Sequence, residues 1–208
     1  MPSLVAEHVG HRFGTLLLFR RLSFSLAGGE SLAVTGANGA GKSTLLRILA
    51  GVRSPKAGAV TLTTDGREIP SADRPLHTGL VAPALGVYDE LTARENLRFL
   101  ARARRLSGAA DRIASVLDRV GLAGRADDRV GTYSSGMRQR VKYAAALLAD
   151  PPLLLLDEPS ANLDARGREF VASVVAEQRE RQRLLVVATN RADEAERHDR
   201  QLRIEDYR

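Results

Sequence analysis

Residues 36–43 read Gly-Ala-Asn-Gly-Ala-Gly-Lys-Ser, which satisfies the pattern G-x-x-x-x-G-K-[ST] at every constrained position. Glycine lets the backbone fold tightly enough for successive N–H groups to point inward at phosphate oxygens. A lysine closing such a loop reaches the β- and γ-phosphates, and the hydroxyl after it can hold Mg²⁺. Those tasks fall to Lys42 and Ser43, with Gly36, Ala37, Asn38, Gly39, Ala40, Gly41 and Thr44 supplying the rest of the cradle. The flanks agree. Ser31-Leu32-Ala33-Val34 is a short apolar run, as a buried strand would be. Leu45, Leu46, Ile48 and Leu49 follow at helical spacing, and Gly51 stands where a helix would stop.

The chain has 208 residues, room for one large domain or a domain with a small inserted lobe. Charged residues make up 27% and hydrophobic ones 44%, the balance of a soluble globular protein. No stretch approaches the roughly 20 apolar residues that span a bilayer, so no direct membrane insertion is expected. The start, Met-Pro-Ser-Leu-Val-Ala-Glu, lacks a basic region and an apolar signal core, so a cytoplasmic location is expected. The absence of cysteine excludes disulfides, thiolate nucleophiles and Cys-ligated metals. His8 and His11 are the only closely spaced histidines, and surface placement is expected for both. The net charge of +6 could suit nucleic acid or an anionic membrane. The basic residues are scattered among acids, however, and the densest cluster, Arg98, Arg102, Arg104 and Arg105, has no interleaved aromatics. No nucleic-acid partner is expected. A solvated helix face is the default for that cluster, and a membrane- or partner-facing surface the second reading.

Strand-like runs at residues 4–9, 22–26 and 60–63 alternate with turns. A helical stretch follows. Thr92-x-x-Glu95 is a capping box that opens a helix through about Arg105. Ile113, Val116, Leu117 and Val120 form one helical face stopped by Gly121. Strand–helix alternation then returns: an apolar run at 153–156, a helix over about 166–181, a second run at 184–188 and a weak strand near 202–204. Continuous apolar runs mark a parallel sheet covered on both faces. The expected fold is an α/β core interrupted by a helical lobe at about 92–131.

The run at 153–156 ends in Asp157-Glu158. In a P-loop fold the ligand sits at the carboxyl ends of the strands. Asp157 would then reach the Mg²⁺ shell, and Glu158 would polarise a water attacking the γ-phosphate. Two acids ending a strand are, alone, as readily a solvated turn; after a phosphate loop the catalytic reading dominates.

Between the two motifs lies Tyr133-Ser134-Ser135-Gly136-Met137-Arg138-Gln139-Arg140. With it the whole chain resembles the ATP-binding-cassette (ABC) ATPases, whose signature reads Leu-Ser-Gly-Gly-Gln before a basic helix. Ser134 and Gly136 match; Ser135 and Met137 depart. A hydroxyl and backbone N–H groups at a helix N-terminus still make an anion site. The resemblance implies a P-loop NTPase fold of ABC type, with an antiparallel or mixed N-terminal sheet. A RecA-like core would comprise 1–91 and 132–208, and the helical lobe 92–131 would continue into the signature helix. It implies that Ser134, Ser135, Gly136 and Met137 contact ATP held by the opposite subunit. Ser160-Ala161-Asn162-Leu163-Asp164 is similar to the D-loop at the dimer seam, and Phe13 occupies the place of the aromatic that stacks on adenine.

Two positions depart further. The glutamine expected after the run at 79–82 is Pro83, and the switch histidine is Asn190, whose amide can donate a hydrogen bond but cannot carry charge. A slower or more strictly partner-dependent ATPase is expected, not a dead one. The resemblance implies an ATP- and Mg²⁺-dependent homodimer that energises a separate membrane permease from the cytoplasmic face, with the permease docking near 83–90. The signature is similar to that of exporters of drugs, lipids or polysaccharides. The short length and missing C-terminal regulatory domain resemble the ATPase of the cytochrome c maturation haem exporter, in which hydrolysis would drive haem release from a membrane chaperone. The alternatives are a soluble ABC protein acting on ribosomes or DNA, and an ATP-gated scaffold that scarcely turns over. A small-molecule kinase would leave Ser134–Gly136 without a role.

Overall fold

A computed structural model describes residues 1–161 and 163–208. The chain opens with β1 (Ser3–Phe13) and β2 (Leu16–Ala27), joined by a tight turn in which Gly14 has φ +56°. Next come β3 (Ser31–Thr35), α1 (Lys42–Leu49), β4 (Ala57–Thr64), β5 (Arg67–Ile69) and β6 (Thr78–Val81). Helices α2 (Ala93–Ala103), α3 (Ala109–Arg119) and α4 (Ser135–Leu147) precede β7 (Leu153–Asp157), α5 (Ala165–Glu180), β8 (Leu184–Ala188), α6 (Ala192–Ala195) and β9 (Arg200–Arg203). Two sheets result. The first is antiparallel in the order β2-β1-β4-β5, and the second is parallel in the order β6-β7-β8-β3-β9. This is the architecture expected of the α/β core and its N-terminal sheet.

The parallel sheet explains the apolar runs. Leu153, Leu154, Leu155 and Leu156 are all fully buried. Alternate side chains leave a strand on opposite faces. Accordingly, Leu153 and Leu155 join the cluster of Leu45, Ile48 and Leu49 from α1, whereas Leu154 and Leu156 join that of Val141, Leu147, Val171 and Val174 from α4 and α5. Each such leucine contributes about 1.5–3 kcal/mol. The strand therefore clamps both layers, and its carboxyl end, with Asp157 and Glu158, has little freedom to move.

The capping box at α2 forms as expected. Glu95 N–H donates to Thr92 Oγ1 at 3.1 Å, and Thr92 N–H donates to Glu95 Oε2 at 2.8 Å. The helix stops at Ala103, two residues before the expected Arg105, because Arg105 adopts φ +53°. The expected arginine cluster is thereby divided. Arg104 turns inward and donates to Thr78 O at 3.2 Å, and its burial holds the guanidinium pKa below the usual value. Arg98, Arg102 and Arg105 stay exposed. The face of Ile113, Val116, Leu117 and Val120 is buried as read, and Gly121 ends it at φ +69°.

Two local expectations change. The last strand covers Arg200–Arg203, and Ile204 already begins a 3-10 turn through Tyr207. His8 is exposed as expected, but His11 is buried at 3% exposure with neither ring nitrogen hydrogen-bonded. The register of β1 on β2 shifts between Ala6 and Val9 and again on either side of His11. Such bulges reset the in–out alternation of a strand, which turns His11 toward the core.

Candidate functional site

The loop after β3 carries the positive φ values that only glycine adopts freely: +145° at Gly36, +80° at Gly39 and +113° at Gly41. It closes on itself through Ala40 N–H to Ala37 O at 3.1 Å. The amides of Lys42, Ser43 and Thr44 lie in the first turn of α1, ahead of the Leu45 N–H to Gly41 O bond at 2.9 Å, where N–H groups have no helical partner. Lys42 is buried, and its Nζ donates to Gly36 O at 2.7 Å and Ala37 O at 3.4 Å. Phe13, Ala37, Asn38, Gly39, Gly41, Lys42, Ser43, Thr44 and Glu158 share one cavity of about 340 Å³. Thus the aromatic, the loop and the second acid, read from three distant stretches, come together.

The carboxyl ends of β7 and β8 face this loop. Glu158 Oε1 lies 3.4 Å from Lys42 Nζ. Its backbone is held in the left-handed region, φ +50°, by an N–H bond to Ala188 O at 2.8 Å. Asn190 Nδ2 stands 3.4 Å from Asn38 Oδ1, a contact between the switch position and the loop. Asp157 is 6% exposed, and its Oδ1 has no hydrogen-bond partner among the described residues. A buried carboxylate oxygen without a donor is costly, and a hydrated divalent cation would remove that cost. Ser43 lines the phosphate-loop cavity and Asp157 does not; the Ser43 hydroxyl and the Asp157 carboxylate would each offer oxygen, which suits Mg²⁺.

Ser134, Ser135, Gly136 and Met137 do not line that cavity. They sit at the mouth of α4, where Ser134 Oγ accepts Met137 N–H at 3.3 Å. Ser134, Gly136, Met137 and Asp164 share a separate cavity of about 170 Å³. Asp164 caps α5, its Oδ1 accepting Gly167 N–H at 2.8 Å. Asn162 of the D-loop stretch lies outside the described residues. Pro83 is exposed and does not line the phosphate-loop cavity, and its carbonyl accepts Lys142 Nζ of α4 at 3.1 Å.

Sequence reading missed three contributors. Arg53 holds its guanidinium 5.0 Å from the centre of the Phe13 ring. Ser160 Oγ donates to Glu194 Oε1 at 2.6 Å, tying the segment after Glu158 to α6. Glu205 Oε1 accepts the Ala37 N–H of the phosphate loop at 2.6 Å. None carries a local motif; each is recognisable only once the sheet order is known.

A family model described as ABC transporter matches residues 19–161. The linearmycin resistance ATP-binding protein LnrL of Bacillus subtilis is 34% identical over 93% of this chain, which spans 63% of that relative's length. The cytochrome c biogenesis ATP-binding export protein CcmA of Pseudomonas syringae is 42% identical over 84% of this chain and 81% of its own length. A solved ATP-binding subunit of an ABC transporter superimposes with a TM-score of 0.80 at 28% identity, over 94% of this chain and 82% of that one.

Proposed function

This chain belongs to the ABC transporter family, and on that premise we propose that it is the ATP-hydrolysing subunit that energises a separate membrane permease. The observation that carries the reading is the shared cavity of Phe13, the phosphate loop and Glu158. Phe13 stacks on adenine, the loop amides and Lys42 hold the phosphates, and Lys42 exchanges its carbonyl partners for phosphate oxygens. Ser43 and Asp157 would hold Mg²⁺, which would supply positive charge to offset that of the phosphates. Glu158 accepts the proton of the attacking water. Asn190 donates to the γ-phosphate without carrying charge, so turnover is slow or strictly partner-dependent.

In this reading the second cavity is a half-site. Ser134, Ser135, Gly136 and Met137 close over ATP bound by a second copy, and Asp164 lies at the seam between the two. ATP joins the copies and hydrolysis parts them. The core of 1–91 and 132–208 and the lobe of 92–131 are the bodies that move. Among the described residues no helix is long and apolar enough to cross a membrane; in this reading a separate permease chain does so, and this chain sits on its cytoplasmic face. An apolar cavity of about 350 Å³, with exposed Leu85, Tyr88 and Phe99 on its rim, extends the 83–90 segment and is the docking surface. The likeness to LnrL and CcmA favours export, and the narrower form of the proposal is a role in cytochrome c maturation.

Purified chain with its co-purifying membrane protein is expected to hydrolyse ATP, and Lys42→Ala to abolish both nucleotide binding and turnover. Wild-type protein that binds no ATP would sink the reading. Capture of ribosomes in place of a detergent-solubilised membrane protein would favour the soluble alternative.

A further inference from the structure

Glu205 and Ala37 are 168 positions apart, yet their contact is among the shortest hydrogen bonds at the phosphate loop, 2.6 Å. The two ends are held by neighbouring strands. β9 pairs with β3 in the register Thr35↔Arg203, and Thr35 Oγ1 reaches Leu202 O at 3.5 Å. Just beyond, Ile204 is fully buried in the core, and Tyr207 packs against the same cluster. The turn that carries Glu205 is therefore rigidly mounted beside the loop.

Gly36, whose φ of +145° favours glycine, also leaves room for this contact. A Cβ on Gly36 would lie 2.7 Å from Glu205 Oε2, 2.9 Å from Oε1 and 2.8 Å from Ile204 Cγ2. Oε2 makes no hydrogen bond, and Arg203 Nε stands 3.7 Å from it. The Ala37 N–H is the leading reason that the Glu205 carboxyl stays below the usual carboxylate range, with desolvation opposing it and the Glu205 amide, Arg203 and Arg208 adding to it.

We propose that Glu205 is a positioning residue for nucleotide binding, which pins the Ala37 amide of the phosphate loop and holds the amides after it ready for phosphate. The proposal rests on the nucleotide reading above. Its logic is preorganisation: a loop of three left-handed glycines is entropically expensive to order, and ordering it before the ligand arrives leaves more of the interaction energy for binding. An ionised acceptor makes the stronger bond to a backbone N–H. Ala37 precedes the amides of Gly39 and of residues 41–44 that would meet phosphate, and the Ala40 N–H is already held by Ala37 O, so engaging Ala37 N–H removes no donor from them.

The test is ATP affinity, measured by calorimetry on the full chain, with turnover measured separately at saturating ATP. Glu205→Ala is expected to weaken ATP binding about tenfold, the worth of one charge-assisted hydrogen bond. Glu205→Gln keeps the acceptor oxygen and should remain within about threefold of wild type. Glu205→Asp, one methylene too short, should behave like the alanine variant and serves in its place if that protein does not fold. Turnover at saturation should change by less than about twofold, because Glu205 touches no reacting group. Wild-type affinity in Glu205→Ala or Glu205→Asp overturns the proposal, as does a glutamine variant as weak as alanine. Loss of ATP binding by the wild type itself would instead bring down the nucleotide reading.

Discussion

Around the phosphate loop, polar groups meet partners from distant parts of the same chain. Lys42 rests on two loop carbonyls and beside Glu158, Asn38 touches Asn190, and Ala37 is held by Glu205. Ser134 and Asp164 themselves make only local helix caps spanning three residues, while Arg140, in the same cavity, donates to Val120 O at 2.8 Å and stacks on the Phe170 ring. Among the described residues, nothing beyond its own helix and chain neighbours approaches within 4 Å of where a Cβ on Gly136 would be. The first cavity is wired for a ligand held by one chain. The second is built around a helix mouth whose own polar groups are capped locally, and the proposal that a second copy completes it rests on that difference.

Four experiments break or sharpen that contrast. Glu158→Gln should lower hydrolysis by about 10²- to 10⁴-fold, the usual worth of a general base, while ATP binding persists; phosphate release and nucleotide affinity measured together check it. Gly136→Asp should leave ATP affinity and the unfolding midpoint of the isolated chain unchanged. There is room for the side chain, and an acid near a helix N-terminus is favourable. Turnover of the assembled complex should nonetheless fall about 100-fold, since a like charge would face phosphate. Normal turnover in that variant would remove the half-site from the mechanism. Asn190→His should raise turnover of the complex by about tenfold, as expected for one added charge-assisted hydrogen bond; an unchanged rate would show that the switch position is not limiting.

The smallest effect concerns stability. Burial, with Arg53 and Lys56 nearby, holds the His11 pKa below that of a free histidine. The unfolded chain then binds the proton more readily, so stability is intact above the unfolded pKa and declines as pH falls below it. The decline is at most about 1.4 kcal/mol per pH unit for one proton. Between about pH 7.5 and 5.5 the unfolding midpoint should drop, and His11→Gln should flatten that slope. His198, also lowered by burial, supplies a second contribution of the same sign, so the variant should not abolish the slope entirely.

Much of the first cavity was legible in the residues because its parts are short patterns. The glycine spacing of 36–41, the acids ending an apolar run and the Thr92–Glu95 box each lie within eight positions. Their geometry follows from local backbone sterics and hydrogen bonding. The errors fell where one residue's outcome depended on a partner elsewhere. Arg104 was read as part of a solvated face, and it turned to the Thr78 carbonyl of β6. His11 was read as exposed, and bulges in β1 turned it inward.

By itself, then, the amino-acid order determined which segments become strands and helices, which loop is shaped for phosphate and which strand delivers two carboxylates, since these rest on periodicity and near-neighbour chemistry. The tertiary structure alone decided that Glu205 lies under Ala37 and that Asn190 meets Asn38, and it brought Phe13 to the loop cavity as the resemblance implied. Those contacts join β9 to β3, β8 to β3 and the antiparallel sheet to the parallel one. Strand order in a sheet is set by the burial of all its faces together, a sum that no local stretch of sequence contains.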